Sequence, residues 1–352
     1  MLKYSCKNCD AELYWDSESN SLKCDYCGNS YLPKDFADAT NRTVKAEEVD
    51  KTDAVTDDSE GLEYVKYQCT NCGAEVVTAK GTIATTCAYC GRALSITDKM
   101  INNFKPSVVI PFRIGKSKAT KIYENYCKSS WLTPKEFMDP ENIKKIKGIY
   151  APFWLHSFTE NSTTILYCEK VRSYRRGNDK VTTTKQYHVS IDATSKFDHI
   201  PADALSKLDN TLMQSIEPFN YKHLKKFDPA YLAGFYAEEF NEDPETTFVA
   251  AHERAVKAIK DCCEGSVCGY SNKRIINYDG QYSNRKASYA MLPVWLINVE
   301  YKGNKYTFAI NGDTGDIAGQ IPMSITKRIL FGAATAIITY LIITIIKLIC
   351  WF

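Results

Sequence analysis

The spacing of apolar and polar residues changes several times along this chain, and the longest apolar run comes last. Residues 329–346 carry no charge. As a helix rising about 1.5 Å per residue they span roughly 27 Å, close to the thickness of a hydrocarbon core. A membrane-spanning helix is therefore predicted over 329–350. Lys347 falls near its far end, where a long side chain can snorkel to the interface. Lys327 and Arg328 immediately precede the run, and positive flanks stay on the cytoplasmic side. The N-terminus, MLKYSCKNCD, has no apolar signal region. These features predict a tail-anchored, single-pass protein of the cell membrane with the bulk of the chain cytoplasmic.

Upstream, residues 104–325 mix two periods, which predicts an α+β domain. VVIPFRI reads as a strand, 117–131 as a helix, and 133–147 as a second helix broken near Pro140. The apolar run IYAPFWLHSF follows. Alternating segments 163–174 and 181–191 flank Arg176-Gly177-Asn178-Asp179 and predict a β-hairpin. Helical turns are expected around 202–208. Asp228-Pro229 and Asp243-Pro244 each place a capping acid before a proline, so a helix should start at each. The second runs to about Glu264 with Phe248, His252, Ala255, Val256 and Ile259 on one face, a core pattern. Strands are expected at 267–278, 286–301, 305–310 and 317–321, with turns at Gly303-Asn304 and Asn311-Gly312. Trp154 and Trp295 lie in a repeated Pro-x-Trp-Leu and read as core anchors rather than ligand platforms.

The N-terminal part is a duplication. Cys6-x2-Cys9 and Cys24-x2-Cys27 recur 63 positions later as Cys69-x2-Cys72 and Cys87-x2-Cys90, and YSCKNCDAEL matches YQCTNCGAEV. Two thiolates two residues apart can occupy two corners of a tetrahedron, and a second pair supplies the rest. Each module, residues 1–33 and 64–98, is therefore predicted to be a zinc ribbon, although four thiolates suit iron as well. So short a module buries too little apolar surface to fold alone, whereas structural zinc contributes about 10–16 kcal/mol. With all four positions filled, such a Zn2+ site is structural and leaves no open place for catalysis. The other six of the 14 cysteines read as ordinary thiols in a reducing compartment.

Between the modules, residues 34–63 hold ten acidic against four basic side chains and read as a flexible linker that lets the first ribbon range away from the second. The whole chain has a formal charge of only +2. The first ribbon is net acidic and the second nearly neutral, so few side chains are there to contact phosphates. Nucleic-acid binding by a membrane-tethered ribbon protein is thus the alternative to protein binding. Around the five histidines there is no HExxH, GxSxG or Cys-His signature, and the chain has no P-loop or GxGxxG. No catalytic residue is nominated.

The tandem ribbons, the segments IPFRIGKSKA, IKGIYAPFWL, SIEPFNY, AYLAGFYAE and LPVWLINVEYKGNKYTFAINGDTGDIAG, and the terminal apolar helix together resemble a family of Gram-positive membrane proteins, the TFIIB-type zinc-ribbon-containing proteins. The resemblance covers nearly the whole chain. It implies zinc at the eight ribbon cysteines and no catalytic residues. Some members resemble partners of a PspA-type envelope-stress system that act with an SPFH-domain protein. The expected function is accordingly a non-enzymatic, membrane-anchored adaptor binding protein partners at the cytoplasmic face.

Overall fold

In the computed structural model, residues 4–9, 11–39, 64–68, 75–79, 95–100, 106–205, 209–238 and 240–351 are described. Three long antiparallel strands dominate them: Lys147–Arg176, Asp179–Asp203 and Asn272–Tyr301. The first is central. It pairs with the second from Arg176↔Asp179 to Phe153↔Asp203, and with the third from Glu169↔Asn272 to Lys147↔Leu296.

The base of these strands is buried on both faces, which is why it reads as an unbroken apolar run. Alternate residues go to opposite sides. Tyr150 of the first strand and Tyr289, Met291, Trp295, Ile297 and Val299 of the third join one core cluster with Phe112, Phe235 and Phe308. Ile149, Ala151, Phe153 and Leu155 face the other side with Ala290, Leu292, Val294 and Leu296, against Met213, Ile216 and Phe219. Short strands widen the sheet here. Val108–Val109 runs parallel to the third strand, and Tyr236–Ala237 runs parallel to the first. Through Ala237↔Val77, the strands Glu75–Ala79, Tyr64–Gln68 and Ser95–Met100 of the second cysteine module continue the same sheet.

Asp243 caps the helix Pro244–Ser266, its carboxylate accepting from the Thr246 amide at 2.7 Å. That helix lies over the middle of the strands, with Phe248 and Ala255 against Phe158. His252 is on its expected face but reaches Glu160, with Nε2 3.1 Å from Oε2. A final helix, Ile325–Trp351, is long and apolar enough to cross a membrane, and its segment Ile325–Lys347 is not buried against the protein.

Several sequence expectations change. Residues 133–147 form no second helix, only a 3-10 turn at Lys135–Met138 and one helical turn at Pro140–Ile143, because Asp139-Pro140 starts a new element where the first would continue. The second long strand runs on to Asp203, and the helix placed near 202–208 occurs instead at Asn210–Ser215. Asp228-Pro229 opens only a 3-10 turn, Pro229–Leu232, soon followed by Gly234 at φ +86°. The runs 267–278 and 286–301 belong largely to one strand, interrupted by irregularities between Ile275 and Asn277 and between Ser283 and Lys286. Its hairpin turn is Lys302-Gly303, both at positive φ, with Asn304 already paired to Tyr301. Trp154 and Trp295 are core anchors: their indole N–H groups donate to Glu242 O and Ile114 O at 2.9 and 2.8 Å.

Candidate metal centre

Four short strands, Tyr4–Ser5, Glu12–Asp16, Ser21–Cys24 and Ser30–Tyr31, form a separate antiparallel sheet. It carries Cys6 and Cys9 on the turn between its first two strands, Cys24 at the end of the third strand and Cys27 on the turn that follows. Local sequence sets both turns. The Cys6 amide donates to Ala11 O at 2.8 Å and the Cys24 amide to Asn29 O at 2.9 Å. Gly28 closes the second at φ +74°, a conformation that suits glycine.

The four sulfurs lie within 4.8 Å of one another. Cys6 and Cys27 are 3.4 Å apart and Cys9 and Cys24 are 3.5 Å apart. A tetrahedral ion with metal–sulfur bonds of about 2.3 Å sets its ligands roughly 3.8 Å apart, so this donor set fits a metal ion. Among the described residues no other group of His, Cys, Asp or Glu does. Cys6 and Cys24 are fully buried, while Cys9 and Cys27 are half-buried.

The surroundings favour thiolates at two of the four positions. Burial alone would raise the pKa of Cys6, but the Tyr31 hydroxyl at 3.2 Å and the Asn8 and Cys9 amides outweigh it and bring it down to about 6. Hydrogen bonds from the Cys27 and Tyr26 amides lower Cys24 against the effect of burial. Cys9 gains a hydrogen bond from the Ala11 amide, yet burial and the three neighbouring sulfurs leave it raised to about 12. With two sulfurs already inclined to ionise, a cation at their centre would complete the deprotonation that metal binding requires.

The sequence reading did not include the packing around this group. Tyr4, Tyr31 and Phe36 stack edge-on, with centroids 5.4 and 5.5 Å apart, beside the cysteines. Nor does the first module range freely. Trp15 is only 4% exposed, donates its indole N–H to Phe112 O at 3.3 Å and packs edge-on against Tyr231 at 4.8 Å. Its amide donates to Ala233 O. The module is seated in the α+β core, contrary to the picture of a ribbon swinging on a linker. The 63-residue offset carried a signal for this: the counterparts of Trp15, Tyr31 and Phe36 in the second module are Thr78, Leu94 and Lys99. The metal-ligand pattern is duplicated and the seat is not. Cys69, Cys72, Cys87 and Cys90 lie outside the described residues, as does most of the 34–63 segment.

The remaining described cysteines, Cys127, Cys168, Cys262, Cys263 and Cys268, are free thiols. A second surface escaped the sequence reading. Residues 170–187, at the far end of the long hairpin, hold six basic side chains against Asp179 alone. Lys170 lies opposite Lys185, and Arg175 opposite Lys180. Lys170, Arg172, Thr183, Lys185 and Tyr187 line a shallow cavity there.

The chain matches no family model and no solved structure. It is 32% identical over 352 residues to a Bacillus subtilis (strain 168) protein named uncharacterized protein YdjG, covering 99% of this chain and 98% of the other. This chain belongs to the YdjG family. The match runs essentially end to end, so it takes in the cysteine modules, the long strands and the terminal apolar helix as one unit.

Proposed function

We propose that this protein is a membrane-anchored, zinc-binding adaptor that holds protein partners at the cytoplasmic face of the cell membrane. The observation that carries this reading is the four-sulfur group at Cys6, Cys9, Cys24 and Cys27, whose ligands use up every position of a tetrahedral ion and so serve architecture rather than catalysis. By the repeat, Cys69, Cys72, Cys87 and Cys90 hold a second Zn2+. The helix Ile325–Trp351 supplies the anchor, and Lys327 and Arg328 put the domain on the cytoplasmic side. The family resemblance points to partners of the PspA or SPFH type, in an envelope-stress system.

Metal analysis of gently purified protein should find two zinc ions per chain, and Cys24→Ser should remove one. Pull-down from detergent extracts should recover defined protein partners that are lost on ribbon disruption. A chain without bound metal, or no protein partner in the pull-down, would overturn the reading. The basic hairpin end favours a second reading, nucleic-acid binding, because its cations are spaced along an exposed ribbon. Oligonucleotide binding near physiological salt that disappears when Lys170, Arg172 and Lys185 are replaced, without protein partners, would select it.

A further inference from the structure

We propose that Trp131 is a membrane-interface anchor, seated among the lipids at the level where the terminal helix enters the bilayer, so that the α+β domain is clamped against the membrane instead of hanging from it. The inference rests on the reading of Ile325–Trp351 as a membrane span. The surface belongs to the loop after the first helix of the domain, Lys116–Lys128. Leu132 O accepts from the Ser324 amide at 2.9 Å, and Thr133 O accepts from Lys327 Nζ at 2.7 Å. Thr133 and Ser324 are buried at this junction, 4% and 8% exposed.

Next to it, Trp131 is 56% exposed yet meets Phe331 edge-on, with centroids 5.1 Å apart. A lone exposed tryptophan needs no explanation, but this contact does. Phe331 lies three positions beyond Arg328, inside the uncharged run. Side chains on a helix lean toward its N-terminus, so the Phe331 ring sits about level with the start of that run. A domain residue that touches it has reached the boundary between headgroups and acyl chains. That is where an amphipathic indole is best placed, its ring in apolar surroundings and its N–H in water. Met323 and Ile325, flanking Ser324 in the chain, are 62% and 56% exposed and border the same entry point.

The bilayer is the occupant that continuity with the helix dictates. The test uses the full chain in vesicles of phosphatidylethanolamine and phosphatidylglycerol. Trp351, at the helix's far end, is first replaced by Phe, so that Trp131 is the remaining tryptophan beside the helix. Lipids brominated near the top of the acyl chain should quench the tryptophan fluorescence of Trp351→Phe protein. Most of that quenching should be lost in Trp351→Phe/Trp131→Phe, with unchanged circular dichroism. Retained quenching in the double variant would overturn the proposal. So would absence of lipid quenching in protein that resists alkaline extraction, and shielding of Trp131 from aqueous quencher in that case would give the surface to a second copy. Protein released by alkaline extraction would instead sink the membrane-span reading on which the proposal stands.

Discussion

At the base of the central strand every residue from Gly148 to Phe153 is buried, whereas from Val171 to the turn every residue of the same strand is exposed. The ladder joining it to the second strand runs from Arg176 to Phe153 with one irregularity, between Phe197 and Ile200. The third strand pairs with the first only from Lys147 to Glu169, so the far end lacks both a second neighbour and side-chain burial. At 30 residues and about 3.3 Å per residue the strand follows a path of roughly 100 Å. Its far end, beyond Lys170, is wet on both faces and depends for its order on the part that is packed, so local opening should begin there.

The largest effect should come from the base. Phe112 is fully buried, stacked on Phe235 at 4.0 Å and edge-on to Trp295 at 5.0 Å. Phe112→Ala should cost about 3–5 kcal/mol in denaturant unfolding of detergent-solubilised protein. At the far end, Tyr174 is 56% exposed, and Tyr174→Ala should change stability by no more than about 0.5 kcal/mol. Similar costs at the two sites would break the comparison.

The packed part also holds His156. It is fully buried; its Nε2 lies 3.1 Å from Thr247 Oγ1, and its Nδ1 has no partner. Burial, aided by the Arg285 charge, pushes its pKa down to about 4. The unfolded chain takes up this proton near pH 6.5 and the folded chain only near 4, so the native state is favoured above that window. Stability should fall by about 2 kcal/mol between pH 7 and pH 4.5 from this group, and His156→Gln should flatten that part of the curve. An unchanged pH dependence in the variant would remove His156 from the account.

Two glycines repeat the contrast at smaller amplitude. A Cβ on Gly148 would lie 2.5 Å from Phe235 Cδ1 and 3.1 Å from Trp295 Cζ3. Gly148→Ala should cost about 1–3 kcal/mol by forcing those rings aside. Gly177 has open space around it and is constrained only by φ +66°. Gly177→Ala should cost about 1 kcal/mol or less, and its effect should be confined to exchange of hairpin amides.

How much of this was readable depended on the range of the signal. The Cys6/Cys9/Cys24/Cys27 group and the terminal helix follow from spacing and run length, and both are present in the fold. The Asp243 cap was equally local. The docking of the first module was not, because Trp15 meets Phe112 and Tyr231, 97 and 216 positions away. One continuous third strand was also hidden. The expected strands stopped at 278 and resumed at 286, and at Gly280, between them, Glu160 Oε1 fills the space a Cβ would take. The like-charge pairs of the hairpin appear only once the register aligns Lys170 with Lys185.

Those pairs give the smallest prediction. Like charges directly opposite on neighbouring strands repel, and opposite charges there contribute up to about 1 kcal/mol. Lys170 also spans the rings of Tyr187 and Tyr270, at 5.5 and 4.8 Å, so its position is already held and a carboxylate across from it needs little reordering. Lys185→Glu should therefore stabilise the far end by a few tenths of a kcal/mol, less in high salt because Lys185 is exposed and Lys170 only half-buried. The gain belongs to a segment that opens before the base does. It should appear as roughly two-fold slower amide exchange over 170–187, with no shift in the global denaturation midpoint. A global shift as large as the local one would mean that both halves unfold together, and the division between a packed base and a wet, basic extension would then describe burial without describing cooperativity.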